Sequence, residues 1–132
     1  MRKINKIIIH CTATEYVPIM RIVNYWKDAL KWKSPGYHII IDQKGKIWKL
    51  AEDYQICNGV KGHNKDSLHV AWLGGKSERH MTFAQEIAMK NVISNWHWEY
   101  GKLPIYGHND FNENKECPII NVREFVKHYK LD

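Results

Sequence analysis

Lys6-Ile7-Ile8-Ile9-His10-Cys11-Thr12 is the stretch on which the fold turns. Three consecutive β-branched residues between a lysine and a threonine show no helical period, and a short apolar run of this kind reads as a buried strand. Such a strand lies inside a sheet, and this one delivers an imidazole, His10, at its end. Far along the chain comes a second segment with chemistry in it: Gly107-His108-Asn109-Asp110, followed by Lys115-Glu116-Cys117-Pro118. An imidazole on a strand end, with a second imidazole and a thiolate from a loop, can give one zinc ion three ligands and leave its fourth position open. An open position is what separates catalytic zinc from structural zinc.

Outward from this strand, Val17 to Lys33 carries Ile19, Ile22, Val23, Trp26 and Leu30 at steps of three and four. With Pro18 suited to a first turn and Ser34-Pro35-Gly36 as a stop, this predicts an amphipathic helix. Tyr37 to Asp42 and Lys46 to Leu50 read as strands joined by a hairpin turn at Gln43-Lys44-Gly45. A loop-rich stretch, Glu52 to Asp66, leads to a further strand at Ser67 to Leu73. Thr82 is the N-cap of a long helix reaching about Tyr100, with Phe83, Ile87, Val92 and Trp96 among its buried positions and Gly101 as its stop. Leu103 to Tyr106 is a short last strand, and Asn121 to Tyr129, with Val122, Phe125, Val126 and Tyr129 on one face, is a closing helix. Strands alternating with helices place the chain in the α/β class: a single domain over residues 1–132 with a central mixed β-sheet of about five strands flanked by helices.

The chain has 132 residues, enough to bury a core without disulfides. Its net charge of +6 favours an acidic partner, but Lys44, Lys46, Lys49 and Lys61 are scattered and form no basic block, so direct nucleic-acid binding is not expected. Cys11, Cys57 and Cys117 are odd in number and show no disulfide or CxxC spacing, which points to a reducing compartment during folding. The N-terminal Met1-Arg2-Lys3-Ile4-Asn5-Lys6 leads into only three isoleucines, too few for a signal-peptide core, and no segment has membrane-spanning length. The expectation is synthesis in the cytoplasm without a signal peptide, with any action outside depending on release or export by another system. Six Trp and seven Tyr supply flat side chains for core or groove.

Ile9-His10-Cys11-Thr12-Ala13-Thr14, Gly36-Tyr37-His38-Ile39, Lys61-Gly62-His63-Asn64-Lys65-Asp66-Ser67, Leu73-Gly74-Gly75, and His108 through Lys115-Glu116-Cys117-Pro118 resemble, in order, the blocks of the type 2 N-acetylmuramoyl-L-alanine amidases. That family includes small phage lysozyme-like amidases and the peptidoglycan recognition proteins, and the resemblance covers roughly residues 4 to 129. It implies a zinc hydrolase that cuts the amide between the lactyl group of muramic acid and L-alanine in bacterial peptidoglycan, acting as a monomer in cell-wall lysis or remodelling. It implies His10, His108 and Cys117 as ligands of one zinc ion per chain, and Tyr37 and Lys115 as catalytic residues. Asn64 and Trp72 lie in segments expected to rim the substrate groove, beside Trp48 and Tyr54.

Taken without the resemblance, Lys115 also fits an ordinary surface lysine, Tyr37 a strand-start residue with its ring in the core, and Cys117 a small buried hydrophobe. Cys11, next to His10 on a strand, points to the opposite face and reads as core. The same alternation makes His38 a supporting residue if Tyr37 faces the site. His63, His69, His80, His97 and His128 carry no assignment and read as surface or hydrogen-bonded. Three departures from the family stand out. Asn58-Gly59 replaces a groove-lining His found in many relatives, and His69 stands where Gly is common. The interval from His108 to Cys117 is also one residue longer than in the compact phage enzymes. Two other readings remain: a recognition domain that binds peptidoglycan without cutting it, and an amidase with an added RNA polymerase-binding role.

Overall fold

The isoleucine run forms the strand β1 (Lys6–Cys11), and Ile7, Ile8 and Ile9 are each fully buried in the computed structural model, which describes residues 2–132. Together with β2 (Ile39–Ile41), β3 (Ile47–Lys49), β4 (Ser67–Trp72) and β5 (Ile105–Gly107), it makes a five-stranded sheet in the order β3-β2-β4-β1-β5. β1 is parallel to both of its neighbours, β4 and β5, and β2 is parallel to β4; only the β2–β3 hairpin is antiparallel. The sheet is therefore mixed, as the alternation of strands and helices predicts.

Two apolar layers cover it. Ile7, Ile9, Cys11, Leu68, Val70 and Trp72 pack against the long helix α2 (Phe83–Tyr100) and the closing helix α3 (Val122–His128). On the other face Ile40 and Ala71 pack against Ile19, Ile22 and Trp26 from α1 (Ile19–Asn24) and the turn after it. Strand alternation assigns His10 to this second face, and Cys11 to the first, as expected.

The helices follow their capping signals. At the start of α2 the Thr82 hydroxyl accepts from the Gln85 N–H at 3.0 Å and the Gln85 side chain accepts from the Thr82 N–H at 2.9 Å, a reciprocal capping box. The Gln85 amide also donates to the Leu73 carbonyl at 2.9 Å, tying the helix to the end of the central strand β4. Gly101, at φ +88°, ends the helix in a conformation that favours glycine.

Two expectations are corrected. Phe83 is 74% exposed, because the first residue of α2 points to solvent before the buried stripe begins at Gln85 and Ala88. The amphipathic helix predicted from Val17 to Lys33 is α-helical only to Asn24 and then widens into a π-helical turn over Tyr25–Ala29, with the Leu30 N–H donating to the Tyr25 carbonyl at 3.1 Å. The widened turn breaks the 3.6-residue period, so Leu30 lies exposed. Trp26 is the last buried position and packs where Gly36 leaves no room for a Cβ, 2.8 Å from the indole.

Candidate active site

Parallel pairing of the first and last strands creates the site. Ile9 on β1 registers with Gly107 on β5, which brings His10 beside His108, whose ring centroid lies 5.0 Å away. After β5 the chain makes a single 3₁₀ turn, His108–Asp110, stapled by the Asp110 carboxylate accepting from the Gly107 N–H at 2.8 Å. The far end of the loop returns to this turn: the Asn109 N–H donates to the Cys117 carbonyl at 2.9 Å. Gly107 permits the return, since a Cβ there would meet the Pro118 ring at 2.8 Å. Cys117 Sγ consequently sits 3.9 Å from His10 Nδ1, and the three candidate ligand atoms of His10, His108 and Cys117 lie within 4.8 Å of one another.

The surroundings keep the two imidazoles in metal-binding form. Burial, then His69 and His108, hold His10 well below the usual imidazole range, so it stays neutral with a lone pair to offer. Burial, then Lys115, depress His108 in the same sense. The Cys117 thiol is pushed up, first by its hydrogen bond with Cys11 and then by burial, so a nearby cation is what its thiolate form requires. The Cys11 N–H points at Cys117 Sγ from 3.2 Å and is a ready donor to that thiolate. Two neutral imidazoles and one thiol around a small gap form a donor set suited to zinc. Tetrahedral zinc with bonds near 2.0 Å to nitrogen and 2.3 Å to sulfur separates such ligands by about 3.5 Å, close to the gap seen between His10 and Cys117.

Tyr37 stands over this group, its ring centroid 4.8 Å from that of His10 and its hydroxyl donating to the Cys11 carbonyl at a long 3.4 Å. Burial, then the nearby thiols of Cys117 and Cys11, push its phenol upward, so it remains a hydrogen-bond donor. Tyr37, His108, Lys115 and Cys117 all line one cleft of about 510 Å³, with Lys76 and Arg79 on the same wall. The longer loop does not carry Lys115 away from it.

Trp72 and Asn64 come out differently from their reading as groove residues. Trp72 is completely buried on the α2 and α3 side and donates its indole N–H to the Pro118 carbonyl at 3.0 Å, so it supports the Cys117 loop from beneath and cannot touch a substrate. Asn64 closes its own loop, its side-chain oxygen accepting from the Val60 N–H at 2.7 Å, and it does not line the cleft. His38 supports the site as expected, but not through alternation. Both Tyr37 and His38 precede the first paired residue of β2 and lie on the His10 side of the sheet.

His69 carried no assignment and is fully buried, with Nδ1 2.9 Å from His10 Nε2. A polar residue inside the otherwise apolar run Leu68-His69-Val70 was the available signal, but only the β1–β4 register, Ile8 opposite His69, reveals which face it joins.

The profile of the family described as N-acetylmuramoyl-L-alanine amidase (Amidase_2) matches residues 1–119, a span that holds His10, Tyr37, His108, Lys115 and Cys117. The chain belongs to this amidase family. The amidase is 28% identical over 130 residues to an endolysin of Enterobacteria phage K11, covering 93% of this chain and 85% of the endolysin. It is 25% identical over 127 residues to peptidoglycan-recognition protein SC2 of Drosophila melanogaster, covering 87% and 68% of the two chains. Among solved structures, the N-acetylmuramoyl-L-alanine amidase LysC from Clostridium intestinale URNW superposes with a TM-score of 0.88 at 20% identity, covering 99% of this chain and 88% of that one. The fold is thus the amidase and recognition-protein fold, and the activity is that of an N-acetylmuramoyl-L-alanine amidase acting on peptidoglycan.

Proposed function

We propose that the amidase uses one zinc ion, held by His10, His108 and Cys117, to hydrolyse the amide between the lactyl group of N-acetylmuramic acid and L-alanine, and that it serves cell-wall lysis. The observation that carries this is the convergence of three donor atoms within 4.8 Å of one another, with His10 buried behind and His108 and Cys117 on the wall of the same cleft that Tyr37 and Lys115 line. When bound, zinc supplies Lewis-acid chemistry, polarising a carbonyl and making water nucleophilic near neutral pH.

The residues supply the rest. Tyr37, kept as a neutral phenol and held only by a 3.4 Å bond, can exchange the Cys11 carbonyl for an oxygen of the reacting amide. Lys115, exposed on the cleft wall, brings an ammonium group to the oxyanion that forms when the amide carbonyl is attacked. Lys76 adds positive charge for stem-peptide carboxylates, whereas Arg79 is paired with Glu116 on the same cleft. Thr12 and Tyr37 are shared with an adjoining groove of about 320 Å³ lined by Val17, Ile22, Tyr25 and Trp26, which offers apolar and aromatic surface to a muramyl peptide.

The likeness to a phage endolysin supports a lytic role, with the amidase reaching the wall after release by another system. Among the described residues no helix is long and apolar enough to cross a membrane. Metal analysis of the purified protein, combined with mass spectrometry of the termini released from purified peptidoglycan, tests the reading. About one zinc per chain and the appearance of lactyl and free L-alanine termini, both lost on chelation, are expected. Full activity in metal-free protein, or in His10→Ala, would overturn it.

A further inference from the structure

Behind His10 lies a second imidazole. His69 on β4 is fully buried, and its Nδ1 is 2.9 Å from His10 Nε2, on the side of the His10 ring away from Cys117. One proton is shared by these two nitrogens, and its position has a consequence. If it sits on His10 Nε2, His10 Nδ1 keeps its lone pair and faces Cys117. If it sits on His69 Nδ1, His10 must carry its own proton on Nδ1, where a metal would bind.

Three observations show that the His69 imidazole is held in place and not merely accommodated. Its backbone N–H donates to His38 Nδ1 at 3.0 Å, and the His38 ring stacks on its own at a centroid distance of 5.9 Å and an interplanar angle of 11°. His38 is fixed in turn: its Nδ1 accepts, so its Nε2–H donates to the Gln55 carbonyl at 2.8 Å. Gly59 leaves the space the ring occupies, since a Cβ at that position would overlap His69 Nδ1. Finally, His69 Nε2 is buried with no hydrogen-bond partner among the described residues. An apolar side chain would avoid that unsatisfied group, so packing alone does not account for a histidine here.

We infer that His69 is a positioning residue for the metal centre: its Nδ1 accepts the His10 Nε2–H and so fixes the tautomer and ring orientation that turn His10 Nδ1 toward Cys117 and His108. The inference rests on the proposal that His10 is a metal ligand. Partners of this kind behind a ligating histidine set metal affinity as well as geometry. Gly59 belongs to the same device, because it alone leaves room for the acceptor.

Two measurements test it. Long-range ¹H–¹⁵N correlation spectra of the metal-free wild-type protein report the His10 tautomer directly, and competition against a chromophoric chelator gives the zinc dissociation constant of each variant. The expected results are an Nε2–H tautomer at His10 and zinc binding weakened about 10- to 100-fold in His69→Ala. Gly59→Ala, which displaces the ring without touching a ligand, should weaken binding in the same way. His69→Asn, whose side-chain oxygen can stand in for Nδ1, should stay within about threefold of wild type. An Nδ1–H tautomer at His10, or wild-type zinc affinity in His69→Ala, would overturn the inference. Should His69→Ala not fold, the wild-type spectrum decides on its own. Wild-type protein that takes up no zinc at all would instead remove the metal site itself, an outcome visible before any variant is made.

Discussion

Lys115 and Tyr37 line the same cleft, yet their replacement should leave different traces. Lys115 is exposed and outside the ligand set, so Lys115→Ala should keep its zinc and its stability while kcat falls by about 10²–10³. Tyr37→Phe preserves the ring against Trp26 and His10 and removes only the hydroxyl, so stability should change by no more than ~1 kcal/mol while kcat drops by about 10²; urea titrations beside initial rates on purified peptidoglycan separate the two effects. The buried histidines set the acid limit of the fold. Burial lowers His38 from 6.5 to about 4, so between these values the unfolded chain binds a proton that the folded one does not. Stability is then complete above pH 6.5 and falls as pH drops toward 4, by ~3 kcal/mol from His38 alone. Urea midpoints recorded at pH 7 and pH 4.5 should show that decline, and a flat profile would contradict it.

At the scale of the elements, helix α2 illustrates what local chemistry can and cannot announce. Its start was legible because Thr82 and Gln85 stand three residues apart and satisfy each other's backbone donors. Thr82→Ala should therefore cost about 1 kcal/mol, measured as a shift in the urea midpoint, with zinc affinity unchanged because the cap is remote from the ligands. The strands, the Gly45 hairpin and the stop at Gly101 were legible for the same reason, each resting on residues close in sequence. What was hidden depends on partners distant in sequence. Phe83 looks like a core residue until the direction of the first turn of α2 is known, and nothing in residues 17–33 announces that the helix will widen at Tyr25. Trp72 reads as a groove residue from its segment although a core position is the more common outcome for such a residue, and its complete burial and its bond to the Pro118 carbonyl place it in the core. His69 is the clearest case: its strand is legible, but the register that puts it behind His10 is a property of two strands together.

For the whole molecule, a metal held as proposed would link β1 to the loop after β5, and zinc should then act on global stability. A ligand that binds only the folded state adds about 2.7 kcal/mol at a free concentration 100 times its Kd. The thermal midpoint should rise with zinc and fall back on chelation, and Cys117→Ser should blunt the response; an unchanged midpoint would argue against a site closed by His10, His108 and Cys117. The same arrangement governs when the enzyme comes into being. His10 and Cys117 are 107 residues apart, so the donor group is assembled from segments far apart along the chain. Contacts of such long range form late, after the entropy of closing a large loop has been overcome. Until residue 117 has joined the fold, a chain with all five strands in place would still lack the Cys117 donor of the proposed centre.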